Sequence, residues 1–110
     1  MATPINTFKT ITWNLTTTSE QVYTAPAITS TIVLMAQVAN IANESANVTA
    51  IHYDIATDTS TELIKNFTIP PADAAGVLVG KLVLTAGQSF YASASANDHL
   101  KLTLSLLETR

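Results

Sequence analysis

Leucine occupies every second position from Leu100 to Leu106, with Lys101, Thr103 and Ser105 between. A helix would scatter these four leucines around its axis, whereas an extended chain puts them on one face. The stretch therefore reads as a strand with one apolar and one wet face, despite leucine's helix propensity. The same twofold period recurs along the chain, and no segment is convincingly helical.

Taken in order, Thr7–Thr16 is rich in Thr, Ile, Phe and Trp and reads as a strand, with Phe8 on one parity and Ile11, Trp13 and Leu15 on the other. Gln21–Thr24 is a short strand stopped by Pro26. Thr29–Ile41 is the longest apolar segment; its β-branched residues and missing caps favour a central strand. Ile32, Leu34, Ala36 and Val38 are expected on one face, and Val33, Met35, Ala39 and Ile41 on the other. In Val48–Thr57, Ile51, Tyr53 and Ile55 alternate with Ala50, His52 and Asp54, which implies one wet face. Asp58-Thr59-Ser60 is expected to make a hairpin connection to Glu62–Ile69. Pro70 and Pro71 end that ladder. Val77–Leu84 is apolar on both parities, the pattern of a strand buried on both faces or bulged at Gly80. Ala86-Gly87 turns the chain into Phe90–Ala96, and Asn97-Asp98 turns it into the leucine strand.

That is about eight strands, with turn signals at the roughly 8–12-residue spacing of a sandwich or barrel. The expected fold is all-β, an antiparallel β-sandwich of jelly-roll or Ig-like Greek-key topology. Residues 1–6, which include Pro4, carry no pattern and read as an amino-terminal arm. Residues 7–110 read as a single domain.

Composition narrows the function. Hydrophobic residues make up 47% of the 110, enough for a core, while charged residues make up only 12%. That is about half the usual charged share, so Thr, Ser, Asn and Gln must solvate the surface. A net charge of −3 argues against a nucleic-acid partner, which calls for a basic face. The absence of cysteine excludes disulfides, thiol catalysis and cysteine-based zinc sites. No apolar run approaches the ~18–20 residues of a membrane helix, and no segment resembles a signal peptide. The expectation is a soluble protein made in a cytoplasm, with no membrane partner. Four Asn-x-Ser/Thr triplets, beginning at Asn14, Asn43, Asn47 and Asn66, are chance matches in so Thr-rich a chain.

Chemistry-bearing residues are few. His52 and Asp54 share a strand parity and Asp58 follows, but a catalytic metal needs about three ligands with further support, and a solvated hairpin face is the better reading. Asp98-His99 near Ser93 and Ser95 lacks the G-x-S-x-G elbow of a hydrolase. Glu20, Glu44, Glu62 and Glu108 lie near turns or strand ends and read as solvated surface rather than as a glycosidase pair. Gly76, Gly80 and Gly87 match no phosphate-cradling pattern. Catalytic residues, metal and cofactor are all expected to be absent, and the chain is not expected to be an enzyme. Trp13, Tyr23, Tyr53 and Tyr91 could form a sugar-stacking platform, but core or interface anchoring is the stronger reading. Pro4, Phe8, Trp13, Tyr23, Tyr53 and Tyr91 are the candidate assembly contacts.

Several phrases resemble one family. They are Val22-Tyr23-Thr24-Ala25-Pro26-Ala27, Ala39-Asn40, Ile69-Pro70-Pro71, the run from Gly80 to Ser89 and the closing Leu104-Ser105-Leu106-Leu107-Glu108. Together they resemble the small virion structural proteins of tailed bacteriophages, especially those of marine and cyanobacterial phages. Pro71-Ala72 stands where those proteins carry Ala-Gly, and Gln88 stands for an acidic residue. The resemblance spans roughly Gln21 to Glu108 and specifies fold better than role. It implies a β-sandwich accessory protein located in the virion, first of all a capsid decoration (cement) protein partnering the major capsid protein. It would be a homo-oligomer, trimeric at three-fold sites, with the arm reaching a neighbour. The alternatives are an accessory protein of the neck, tail or fibre base, and a carbohydrate-binding adhesion module on the particle.

Overall fold

The computed structural model describes residues 5–110. These form nine strands: β1 (Asn6–Asn14), β2 (Glu20–Thr24), β3 (Ser30–Asn40), β4 (Ala46–Asp54), β5 (Thr59–Ile69), β6 (Ala74–Gly76), β7 (Leu82–Leu84), β8 (Gln88–Ala94) and β9 (Leu100–Thr109). Every pairing is antiparallel. Sheet A runs β1–β9–β3, with β6 and β7 both on the far edge of β3; sheet B runs β2–β8–β4–β5.

The pairing has a simple origin. Asn6 pairs with Thr109, Tyr23 with Phe90, Gln37 with Gly76, Ala46 with Ile69 and Asp54 with Thr59. The members of each pair lie almost symmetrically about the turn at residues 55–58, so the chain is one long antiparallel hairpin. Rolling that hairpin sets β3 against β9 and β4 against β8, which closes two facing sheets. This is jelly-roll connectivity, and it decides against the Ig-like alternative.

The core lies between the sheets. Leu100, Leu102, Leu104 and Leu106 are buried as their spacing predicts, and meet Leu15, Val33, Val38, Val48 and Phe90. Each such side chain contributes roughly 1.5–3 kcal/mol by leaving water. Ala36, Ala50, Ala92 and Ala94 are buried too, and their small size lets the two layers approach.

The structure departs from the sequence reading in several places. A bulge between Val33 and Met35 reverses the parity of β3, so Val33, Ala36 and Val38 face the core while Met35 is exposed. On β4 the core takes Val48 and Ala50; Ile51 and Tyr53 lie on the outer parity, opposite to the expected wet face. Of the expected strand Val77–Leu84 only Leu82–Leu84 (β7) is strand, because the chain leaves β3 after β6 and the Val77 N–H bond to Ala36 O (3.0 Å) and returns at Leu82. Gly80, at φ 86°, permits that excursion, and Val79 is left fully exposed. The β4–β5 turn falls at residues 55–58, where Asp58 takes the left-handed conformation (φ 50°), and Thr59 and Ser60 already belong to β5.

At the amino end, Asn6 opens β1, and Ile5 and Arg110 exchange backbone hydrogen bonds (both 3.2 Å). Residues 5 and 6, expected in the arm, are therefore part of the sheet, while Pro4 lies outside the described residues.

Polar clamps tie the layers together. Tyr23 of β2 is buried and donates its phenol proton to Glu108 of β9. Thr31 of β3, fully buried, lies 2.8 Å from the same phenol oxygen, and its hydroxyl donates there because the phenol proton is committed to Glu108. Lys9 of β1 reaches the other Glu108 oxygen at 3.0 Å. Glu108 thus continues the inward parity of the leucines instead of lying on a solvated strand end. The Tyr23 hydrogen bond, helped by Lys9, holds its carboxyl below the usual range against the opposing effect of burial. Burial and the Glu108 hydrogen bond push the Tyr23 phenol up to about 12.

One further clamp follows the same logic. The Asn40 amide donates to Glu44 O (2.8 Å) and Ile69 O (2.9 Å), and its oxygen accepts from the Ala42 N–H (2.9 Å). Within sheet B, Ala25 extends the β2–β8 ladder through the backbone of Gly87 and Gln88 (both 2.9 Å). Val22–Ala27 therefore meets both Gly80–Ser89 and Leu104–Glu108, and Asn40 meets Ile69.

Candidate functional site

Two surfaces stand out, one on the outer face of each sheet. On sheet B the register places Tyr91 of β8 beside Ile51 of β4, and Tyr53 of β4 beside Ser60 of β5. The two tyrosine rings meet edge to face, with centroids 5.9 Å apart and planes at 79°. The Tyr53 hydroxyl donates to Asp58 Oδ1 at 2.7 Å and the Tyr91 hydroxyl to Gln21 Oε1 at 3.1 Å. The Asp58 bond holds the Tyr53 phenol above its ordinary range. Around them Ser19, Ile51 and Ser60 complete an open groove of about 290 Å³.

On sheet A the outward positions form an apolar row. Phe8 of β1 pairs with Leu107 of β9, Leu107 with Ile32 of β3, and Ile32 with Val83 of β7. Phe8 is 73% exposed and Val83 55%. The neighbouring outward positions are Thr10 and Thr12, Thr103 and Ser105, and Met35 and Gln37, so among the described residues these paired positions carry little charge, with Lys101 a cation at one end. β1 and β5 lie at open sheet edges, where an unpaired backbone can take another strand.

The other singled-out residues do not converge. His52 contacts Gln88 (3.3 Å), Asp54 accepts the Ala56 N–H (3.0 Å), and Asp58 is engaged by Tyr53. Among the described residues no three His, Asp or Glu side chains are placed to hold a metal. Asp98 accepts from Asn14 (2.9 Å), the His99 ring lies 2.7 Å from Asn97 O, and Ser95 accepts the Asn47 N–H (2.8 Å), so these groups tie together one end of the sandwich. Trp13 packs partly buried against the core and Tyr23 is inside it, which removes both from the exposed aromatics. Of the candidate contacts, Phe8 lies on sheet A, while Tyr53 and Tyr91 come together on sheet B. The Tyr53–Tyr91 pairing depends on register between strands about forty residues apart, a signal that no local pattern carries.

No family model and no curated protein matches the chain. Among solved structures, one similar chain comes from Bacillus endospore appendages, described as a family of disulfide-linked pili. It shares 10% identity at a TM-score of 0.58, over 97% of this chain and 87% of that one. A second is a chain of the virus-like particle of the extra small virus of the giant freshwater prawn Macrobrachium rosenbergii, with 12% identity, a TM-score of 0.44, and coverage of 99% and 80%. The first likeness establishes a shared all-β fold and nothing finer.

Proposed function

We propose that this chain is a structural protein of a bacteriophage particle, bound to the outside of the assembled capsid as a decoration protein. The observation that carries this reading is the outer face of sheet A. It carries an apolar row across β1, β9, β3 and β7 amid uncharged Thr, Ser and Gln side chains. Such a face packs against a neighbour with little desolvation cost, and exposed apolar surface of this kind marks an interaction site. The resemblance to phage virion proteins supplies the partner, the major capsid protein. A protein that binds only the assembled lattice stabilises it by mass action. The chain self-associates at the symmetry-related sites it occupies, as a trimer where those sites are three-fold.

The test is quantitative mass spectrometry of purified particles, as copies relative to the major capsid protein. Lattice decoration requires on the order of hundreds of copies per particle, whereas roughly a dozen or fewer would move the protein to the neck or tail. Absence from the particle would refute the structural reading.

A further inference from the structure

We propose that the groove between Tyr53 and Tyr91 on the outer face of sheet B binds a neutral saccharide. The inference stands on this chain's own residues and does not depend on the particle reading. A sugar ring offers apolar C–H faces and a rim of hydroxyls. The groove offers the counterpart of each: two phenol rings and Ile51 for the faces, Ser19 and Ser60 for the rim.

The groove is built before any ligand arrives. Its floor is the paired backbone of β8, β4 and β5, not a loop. Both phenols are fixed by their hydroxyls, Tyr53 through Asp58 (2.7 Å) and Tyr91 through Gln21 (3.1 Å). Side chains already ordered lose little rotamer freedom on binding.

Charge selects the class of ligand. None of the lining residues is charged, so neither an acidic nor a basic sugar finds a counter-ion in the groove. Beside the groove, Asp58 holds the Tyr53 hydroxyl, while Glu62, which pairs with Ile51 across β4 and β5, is bridged by Lys65 (3.5 Å). Bases stack on tyrosine as well, but the groove lining offers no cation for the phosphates that would accompany them, and the Asp58 carboxylate beside Tyr53 repels them. The volume of about 290 Å³ and the open mouth suit one ring of a longer chain.

The test uses the full chain and neutral oligosaccharides: maltotriose, cellotriose, chitotriose in its N-acetylated form, and a galactose trimer. Each is titrated while backbone amide resonances are followed by NMR, and hits are measured by calorimetry. The expected result is a shift centred on Ile51, Tyr53 and Tyr91 with at least one sugar, at a Kd of ~1 mM or tighter. Tyr91→Ala should weaken that binding about tenfold, the loss of one aromatic contact. Ser60→Lys, which fills the groove from an exposed position, should abolish it while leaving the spectrum folded. Silence across the panel at ~10 mM, some tenfold above that Kd, overturns the proposal. So does binding that neither variant changes, or shifts centred elsewhere.

Discussion

Replacing Tyr23 with Phe tests the inter-sheet clamp. The change leaves the ring in place and removes one buried oxygen. That oxygen donates to the Glu108 carboxylate and receives the Thr31 hydroxyl, so the variant strips a donor from a buried charge and an acceptor from a buried hydroxyl. A hydrogen bond to a charged group is worth about 1.5–3 kcal/mol, and Lys9 keeps Glu108 from being wholly orphaned. The expected loss at pH 7 is therefore about 2 kcal/mol, read from urea unfolding with an unchanged m-value. The loss must also depend on pH. The folded Glu108 pKa lies below its unfolded value, so its contribution is present above that unfolded value and lost as pH falls through the folded one. As pH falls through the lowered folded value the bond becomes neutral, and the gap between wild type and variant should narrow to about 1 kcal/mol or less. The Tyr23 phenol works in the opposite sense: its stabilisation is complete below pH 10 and lost as pH rises toward 12. Two results would refute the clamp: a Tyr23→Phe penalty within about 0.5 kcal/mol of zero at pH 7, or one that does not shrink across an acid titration.

Leu104→Ala removes a fully buried side chain set between Ile11 and Ala36, and should cost about 2–5 kcal/mol in the same assay; a cost below 1 kcal/mol would mean the core collapses around the gap. Asn40→Ala leaves the Glu44 and Ile69 carbonyls and the Ala42 N–H without their partner, for an expected loss of about 2–3 kcal/mol, checked by thermal and urea melts. Ile28 is a β-branched residue held at φ 59° with its side chain 88% exposed. Ile28→Asn should relieve about 1 kcal/mol of backbone strain and raise Tm by several degrees; a fall in Tm would show that the isoleucine makes contacts that offset the strain.

The leucines of β9 show what was legible. Their period of two fixed strand, face and core without reference to any other segment. Glu108 lies on the same parity, and counting onward by two places it indoors; its charge argued for the surface, and the partners that hold it inside sit on β1, β2 and β3. Tyr53 failed for a related reason. Parity groups it with Ile51 but cannot say which side faces the core, and the small residues Ala50 and Ala92 took the inner side because the layers approach closely there. The β3 bulge leaves no local mark in an unbroken apolar run. Jelly-roll and Ig-like connectivity contain the same strands and turns, and differ only in remote pairing.

The place of β9 shapes how the protein must be made. It is the interior strand of sheet A that joins β1 to β3, and it comes after every other described strand in chain order. The four strands of sheet B are all complete by Ala94. A nascent chain can therefore close the β4–β5 hairpin, add β8 and then β2, and hold a finished sheet before its cover exists. Until Leu100–Thr109 emerges, β1 and β3 have no strand between them, and Val48, Ala50 and Phe90 face water. Translation that stalls before β9 leaves sheet A split between β1 and β3, with an apolar face and open edges that favour aggregation.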